Sequence, residues 1–474
     1  MSGLVNTMMS SVSGMRTSQS ALGTVSHNIA NADTEGYSRQ SARLSSTAPT
    51  KVMGKGQGGV IGQGVFVETV ERAQARFMDA QVMRDRMSSG FFQGRKMPLE
   101  NFELIFDNGT DSTVSDQMQK FFAAVTELSQ NPSSKSAQNG FVEASREIAR
   151  SFRKVATDVQ LNRQNVDDTI NDRVGRVNAL SDQIAALNVS VAGTRKTGGN
   201  AADYEDRRDG LLRELGSLVD VRFHHQANGS VSVETSSGFA LVRDDQSASV
   251  RTTPNAANDG LVEIVHTSFN GIETVISTDL SQGEIAGLLD SRDQIMGTRL
   301  DELDQLAFNF ATEVNATHQA GFGQDGVDGR DLFVQPVLPN GAAISLEVEA
   351  GIIADPTTIA SAQDPLLLPG DNRNLLSLAT LQDQRSAGLG NQSYNQFFSE
   401  MMRGVGAQVS QNLFDAEFAE VRLSQSEAMR ESVVGVSVDE ELVDLTRYQK
   451  HFQANTRVLE TTNRLMDEVM RMIG

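Results

Sequence analysis

The chain has 474 residues and a formal net charge of −20 at pH 7. This length favours about two to four domains over one compact core. The negative charge argues against nucleic acid and anionic membrane surfaces as partners, because both attract Lys and Arg. Since the sequence contains no cysteine, it can form neither a disulfide nor a thiolate metal site or nucleophile.

The N-terminal residues predict one helix whose large apolar side chains recur at every seventh position. The helix extends from about Leu4 to Ala30, and its many serines lower its helix propensity, so we expect it to become ordered only by packing. A narrow heptad row of this kind is typical of a coiled-coil-like helix. The predicted row consists of Met8, Met15, Leu22 and Ile29.

The same N-terminal segment lacks the features of a cleavable secretion signal. No basic residue precedes Arg16, and polar side chains interrupt any apolar stretch. Nowhere does the sequence approach the roughly 18 to 20 continuous apolar residues that a transmembrane helix needs. We therefore expect no membrane insertion, and a chain that either stays in the cytoplasm or leaves the cell without a cleaved signal.

A polar segment after the first helix predicts a turn that leaves the helix, because it combines Asn and Asp with Gly36. Its characteristic residues are Asn28, Ile29, Ala30, Asn31, Gly36, Tyr37, Ser38 and Arg39. Placed directly after a serine-rich heptad helix, they resemble the N-terminal signature of the flagellar rod, hook and hook-associated protein family. The portion from Gly36 onward is most similar to the hook-associated members, although Glu35 stands where the family commonly has proline.

Residues 46–70 predict a glycine-rich connector that ends in a strand at 65–70, where apolar and polar side chains alternate. Gly54, Gly56 and Gly59 match the spacing of a dinucleotide-binding loop. Such a loop binds phosphate only between a preceding strand and a following helix, but no strand is predicted before these glycines and no helix begins after them. We therefore interpret the stretch as a flexible connection and expect no cofactor.

The pattern from residue 71 to residue 218 is mainly helical. Its clearest helix carries apolar side chains from Val155 to Val191 at spacings of three, four and seven, which predicts a rod of roughly 55 Å. A charged cluster follows at residues 204–212, and we interpret it as a solvated helix face. The cluster also resembles a central segment of the hook-associated members.

Residues 219–283 predict a small antiparallel β domain inserted into the helical body. Alternating β-rich runs replace the helical period there, and Asn228-Gly229 and Asn270-Gly271 are strong hairpin turns. His224 and His225 are adjacent on the first predicted strand, so their side chains point to opposite faces. A shared metal site is therefore not expected.

The helical period returns at residues 284–431, which we assign to the same body domain as residues 71–218. Its loop at 318–333 carries Asp325, Asp328 and Asp331 but lacks the alternate acids and closing Glu of a calcium loop. We predict a surface loop without metal there. The loop also resembles one in the hook-associated members, and residues 334–371 predict little regular structure.

The last forty residues predict a second coiled-coil-like helix. Its apolar row repeats every seven positions and consists of Val438, Leu445, Phe452, Leu459, Met466 and Ile473. We expect residues 1–45 and 432–474 to pair as a terminal domain that then packs against copies of itself. The alternative is that both helices pack onto an ordinary core. The C-terminal run also resembles the C-terminal signature of the same flagellar family.

The predicted fold is therefore mainly α, elongated and multidomain, with an inserted antiparallel β domain. The resemblance implies a structural subunit of the bacterial flagellum, located outside the cell at the junction of hook and filament. It implies export unfolded through the flagellar export apparatus, with an export chaperone, and assembly into a ring. Its neighbours would be copies of itself, the hook subunit, and adjacent junction or filament proteins.

Two other functions are open from the sequence. The chain could be another axial flagellar protein, such as the hook subunit or a distal rod subunit, because these share both terminal signatures. It could also be an enzyme, for example a hydrolase that acts on the cell wall. The sequence contains no nucleophile-elbow or HExxH pattern, and no carboxylate pair stands out, so we expect no enzymatic activity.

Overall fold

The computed structural model describes residues 2–52, 59–106 and 113–473. Gly54 and Gly56 of the glycine-rich pattern lie outside the described residues, as does the side chain of Ile473. Within the described ranges helices dominate, and every paired strand runs antiparallel to its neighbour. The predicted mainly α fold with small antiparallel sheets is confirmed.

The N-terminal part of the chain combines one helix with one long hairpin. Helix α1 covers Ser2–Ala30. Strand β1 (Gln40–Ser46) pairs with β4 (Val65–Arg72), and β2 (Thr50–Val52) pairs with β3 (Gly59–Ile61) farther along the same hairpin. The hairpin packs against α1.

Four helices follow the hairpin and begin the helical body. They are α2 (Arg76–Phe106), α3 (Val114–Gln130), α4 (Lys135–Lys196) and α5 (Ala202–Leu218). Helix α4 has 62 residues, a length of about 93 Å at the standard rise. It begins well before the predicted Val155, because buried Phe141, Ile148 and Phe152 extend the same apolar face.

Two small antiparallel sheets lie in the region where the sequence predicts a β domain. The first contains β5 (Val221–His225), β6 (Val231–Thr235), β7 (Ala240–Arg243) and β8 (Gln246–Ser247) in sequence order. The second has the order β11-β10-β9, with β9 at Ser249–Pro254, β10 at Val262–Thr267 and β11 at Glu273–Val275. The glycines of both predicted hairpin turns have positive φ angles of 89° and 78°. Strand β9 was not predicted because it carries only one large apolar residue, Val250.

The chain then returns to the body and ends in two long helices. A π-helical stretch, Asp290–Met296, joins the helix at Glu284–Leu289 to the helix at Gly297–Gln319. In chain order the helices are α6 (Glu284–Leu289), α7 (Gly297–Gln319), α8 (Ala342–Ser345), α9 (Ala350–Ala354), α10 (Arg373–Thr380), α11 (Tyr394–Val434) and α12 (Val438–Ile473).

Phenylalanine forms the centre of the body core, as expected for a chain without tryptophan. Phe310 on α7 is completely buried. Its ring meets Phe121 edge-on at a centroid distance of 5.3 Å and Tyr394 edge-on at 5.4 Å. Edge-to-face pairs add stabilisation beyond the buried area. The core thus ties α3, α7 and α11 together.

Helices α2 and α6 cross at glycines that allow very close contact. A Cβ atom at Gly287 of α6 would overlap the carbonyl oxygen of Phe91, and one at Gly94 of α2 would overlap the carbonyl oxygen of Glu284. The obstacles are backbone atoms, which cannot move aside as a side chain can. The crossing therefore requires glycine on both helices.

We predict that Gly287→Ala separates α2 from α6 and lowers the free energy of unfolding by about 1–3 kcal/mol. Urea unfolding followed by far-UV circular dichroism measures the change. The matched control is Gly175→Ala in α4, where an added Cβ meets open space; it should raise stability by roughly 0.5–1 kcal/mol. Equal stability of the two variants would contradict the crossing.

Candidate assembly interface at the terminal helices

Helices α1 and α12 pack side by side and run antiparallel. Two contacts define the register: a Cβ at Gly14 would touch the Asn455 side chain, and the Asn28 amide donates to a Glu441 carboxylate oxygen at 2.9 Å. The two contacts are fourteen residues apart on each helix but follow in opposite chain directions. This separation is about 21 Å along the helix axis. The predicted pairing of the chain ends is confirmed.

The face of α1 that packs against α12 consists mainly of small or polar side chains. These buried residues are spaced alternately by three and four positions, as in a heptad repeat. They are Ser11, Gly14, Ser18, Ala21, Val25 and Asn28. Small side chains let two helix backbones approach closely, so this row sets the distance between the helices.

The facing row of α12 is larger and only partly buried. It has the same alternating spacing, and four members belong to the predicted C-terminal heptad row. The row consists of Glu441, Leu445, Tyr448, Phe452, Asn455, Leu459, Thr462 and Met466. Leu445, Phe452, Leu459 and Met466 therefore lie in the helix pair within one chain. Val438, the first residue of α12, is 43% exposed.

The predicted N-terminal row lies beside this face. Met8 is 36% exposed, and Met15, Leu22 and Ile29 are half-buried. On the opposite flank of α1, the Ser13 hydroxyl accepts from the Val65 N–H at 3.2 Å, so the hairpin covers that side. The structure thus places the two predicted heptad rows on different surfaces. The N-terminal row lies on a flank of α1, whereas most of the C-terminal row lies on the face of α12 that packs against α1. The row of small and polar side chains on the α1 face toward α12 was missed because it carries little hydrophobic signal, although its alternating spacing was present in the sequence.

Asn28 fixes the point where α1 ends and the pair meets the hairpin. Its amide group donates to the Gln40 carbonyl at 2.8 Å and to Glu441 at 2.9 Å. Its oxygen accepts from the Tyr37 hydroxyl at 2.8 Å and from the Gln40 N–H at 3.0 Å. An asparagine side chain has four such bonds to make, and Asn28 makes all four while 1% exposed.

The charges around Asn28 are paired as well. Glu441 is buried, and its second oxygen accepts from Arg39 Nε at 2.7 Å. Arg39 also contacts Glu440 at 3.0 Å, and its backbone N–H donates to the Val434 carbonyl at 2.8 Å. One residue of the signature therefore joins the end of α11 to the start of α12. Burial raises the pKa of Tyr37, helped by Asp203, Asp206 and Glu441, which keeps its hydroxyl a donor.

The charged cluster at residues 204–212 is not a solvated helix face, so that interpretation is wrong for its central members. Glu205 and Arg208 are buried, and Arg72 from β4 binds Asp206 at 2.8 Å and Asp209 at 2.7 Å. Asp206 also accepts from the Ser38 N–H at 3.1 Å. Burial raises the pKa of Asp206, although Arg72 opposes the rise. The cluster connects the terminal domain to the body.

The remaining signature residues shape the turn. Gly36 has a φ of +76°, a left-handed conformation that favours glycine. The Asn31 amide donates to the His27 carbonyl at 2.9 Å, and Ala30 is the last residue of α1 and is exposed. The turn forms with Glu35 in place of proline, because the Tyr37 N–H donates to the Thr34 carbonyl at 3.1 Å.

The other candidate sites have ordinary structural partners. His224 contacts Glu234 at 3.0 Å, while Asp325 pairs with Arg330 and Asp331 accepts from Gln319 at 2.6 Å. Within the described ranges, no group of three or more His, Asp or Glu is arranged to hold a metal ion. None of the described helices is long and apolar enough to cross a membrane.

Three protein-family models match this chain, in the order in which its domains occur. The model of the flagella basal body rod protein matches residues 8–37. The model of the helical domain of flagellar hook-associated protein FlgK matches residues 99–333, and that of the C-terminal region of flagellar basal body rod proteins FlgEFG matches residues 431–472. The two terminal matches cover the helices that pair.

Full-length relatives agree with these matches. Flagellar hook-associated protein 1 of Salmonella typhimurium LT2 is 27% identical over all of both chains, and its counterpart in Bacillus subtilis 168 is 25% identical over 96% of each. A solved structure, the flagellar hook junction protein FlgK from Burkholderia pseudomallei, aligns with a TM-score of 0.64 at 15% identity. That alignment covers 74% of this chain and 100% of the other, and at this identity it shows the fold.

Paired terminal helices that match rod-protein models, with a helical body between them, define an axial protein of the flagellum. This is a structural class, not an enzymatic one. Within it, the chain belongs to the family of flagellar hook-associated protein 1, FlgK, because the central match and the full-length relatives are of that type.

We predict that Asn28→Ala loosens the terminal pair. The Tyr37 hydroxyl, the Gln40 N–H and one Glu441 oxygen would lose a buried partner, at about 1–3 kcal/mol for each group left unsatisfied. Hydrogen exchange should become faster in α1 and α12 but stay unchanged in α4. Asn31→Ala is the control, because its side-chain bonds stay within residues 27–34. Unchanged protection of α12 in Asn28→Ala would refute this role.

Proposed function

We propose that this chain is a structural subunit of the ring that joins hook to filament, and that its copies bind each other through the outer flanks of the α1–α12 pair. A junction protein of this family is an extracellular component of the flagellum, with hook and filament as its neighbours. One observation carries the proposal: the pair buries little apolar surface within one chain.

The buried apolar content of the pair is small. Among the described residues of α1, only Ala21 and Val25 are buried apolar side chains, and the described part of α12 has none. Each fully buried large apolar side chain contributes about 1.5–3 kcal/mol, and body helices such as α3 and α7 contain many. The terminal pair is therefore incomplete as a core, and contact with neighbouring copies would complete it.

Two apolar rows are available for such contacts. The first is the predicted N-terminal row, Met8, Met15, Leu22 and Ile29, on the flank of α1 that faces away from the hairpin. The second lies on α12 at sevenfold spacing and consists of Val458, Leu465 and Met472, each at least 44% exposed. With about 3.6 residues per turn, the two rows fall on opposite sides of the pair.

Rows on opposite sides favour a head-to-tail contact. In such a contact the α1 row of one copy packs against the α12 row of the next, and repetition around an axis closes a ring. A contact that used one row twice would stop at a dimer. The body and β domain, which are held to the pair through Arg72 and Asp206, would then set the spacing of copies around the ring.

Other expected partners follow from the family. The chain would pass unfolded through the flagellar export apparatus, and a protein without cysteine suits that route because it cannot become cross-linked on the way. An export chaperone would cover the apolar rows of the terminal helices before export. After export, the hook subunit and adjacent junction or filament proteins would bind the assembled ring.

We predict that Leu22→Asp abolishes incorporation at the junction without unfolding the body, because it places a charge in the α1 row. Immunogold electron microscopy of hooks, with the thermal melting curve of the purified protein, measures both effects. Ser20→Asp is the control, since it adds the same charge at an exposed position on the far side of α1. Normal incorporation of Leu22→Asp would eliminate the α1 row as a contact between subunits.

The place of the protein in the flagellum has its own test. Cells that lack this gene should carry bare hooks and release filament subunit into the medium, because filament cannot attach without the junction. Electron microscopy and an assay of the culture medium detect both results. Absent hooks would indicate a rod or hook subunit instead, and normal filaments would contradict an axial role.

A further inference from the structure

A cavity lies between α2, α5, the first strand of the β domain and the end of α11, and its charged lining is mostly arginine. Its volume is about 290 Å³, close to the roughly 300 Å³ at which small-molecule pockets begin. We call it the arginine cavity. Its charged lining residues are Arg72, Arg76, Arg195, Arg208, Arg213 and Arg430, with Asp79, Glu205 and Asp209.

The lining has an excess of three positive charges, although the whole chain has a net charge of −20. Burial lowers the pKa of His225, so this further lining residue is neutral at pH 7 and adds no charge. A partly enclosed surface with positive charge focuses its electrostatic field and attracts anions, even in a protein whose net charge is negative. The positive charge of the cavity lining is therefore a local feature and not a general property of the protein surface.

Several of these arginines already have carboxylate partners. Arg72 binds Asp206 and Asp209, Arg430 binds Asp79 at 2.7 Å, and Arg195 binds Glu205 at 2.5 Å. These pairs form the wall of the cavity and hold its shape. They do not neutralise the remaining guanidinium groups.

Arg213 is different, because it has neither a carboxylate nor a hydrogen-bond partner among the residues that the structure describes. Its guanidinium lies against Gly36, so close that a Cβ there would overlap it. Burial lowers the pKa of Arg213, and Arg430 lowers it further, although Asp209 and Asp79 oppose this. Beside it, the buried Arg208 uses Nη1 for the Gly229 carbonyl at 2.7 Å, while its Nε makes no hydrogen bond and lies 4.0 Å from an Asp209 carboxylate oxygen.

Arg213 is half-buried. A partly desolvated cation without a partner is costly, and an arginine cannot relieve the cost by losing its proton. An anion within reach is the remaining means of compensation. Guanidinium groups match the geometry of tetrahedral oxyanions, to which they donate paired hydrogen bonds. We propose that the arginine cavity binds one small oxyanion of the phosphate or sulfate type, held by Arg213 together with Arg208.

The position of the cavity gives this anion a structural consequence. Arg72 ends β4 of the terminal hairpin, Arg430 lies near the end of α11, and Arg213 lies on α5 of the body while touching the signature turn at Gly36. An anion bound among them would join these elements at the connection between terminal pair and body. This inference does not depend on the proposed role in a ring.

Isothermal titration calorimetry of the full chain with sodium phosphate, compared with sodium chloride at equal ionic strength, tests the proposal. We expect one saturable site for phosphate, competition by sulfate, and no saturable heat with chloride. Arg213→Gln should weaken phosphate binding about tenfold or more, since a charge-assisted hydrogen bond is lost. Arg207→Gln, an exposed position on the same helix, should bind phosphate as the unchanged chain does.

Thermal unfolding provides a second readout that separates binding from folding. In chloride, Arg213→Gln should melt no lower than the unchanged chain, because it removes a charge that has no partner. Saturating phosphate should raise the melting temperature of the unchanged chain but not that of Arg213→Gln. Absence of a saturable phosphate site, or equal affinity of the two proteins, would overturn the proposal.

Discussion

The terminal domain of this protein depends on one buried amide, that of Asn28. Its partner Glu441 lies 413 residues farther along the chain, so a single side chain closes nearly the whole sequence into a loop. All four hydrogen-bonding positions of Asn28 are used, and an amide in that state specifies one arrangement of its neighbours. The Arg39–Glu441 pair compensates the buried carboxylate. The register between α1 and α12 follows from this point.

Once the register is set, the composition of α1 determines which surface remains free. Serine, glycine and alanine fill the face toward α12, so the helices come close and the large side chains lie to the side. An ordinary amphipathic helix would bury its large residues against its own partner. Here the small row joins helices within one chain, while the large row of Met8, Met15, Leu22 and Ile29 is left half-exposed. This separation gives one helix two different packing surfaces.

Much of the fold could be predicted from sequence because its signals are local. The Asn-Gly turns, the change from helical to alternating period, and the heptad repeats at both ends each involve neighbouring residues. The candidate site was predicted only in part. The row of small side chains on α1 lacks hydrophobic contrast. The cluster around Glu205 has the sequence pattern of a solvated helix face, because its partner Arg72 lies on a strand more than one hundred residues away. Burial of charge is decided by distant partners, which periodicity cannot reveal.

The contrast between the two parts of the molecule indicates how folding and assembly are coupled. The body has a phenylalanine core that is buried within one chain, so it can fold before any neighbour is present. The terminal pair is joined mainly by hydrogen bonds and ion pairs at one end, and it buries few apolar side chains along its length. A long helix with many serines is marginal in water without packing. Under the proposed function, such a subunit would have a stable body and weakly paired ends in solution, and contact with other subunits would complete the core of its ends.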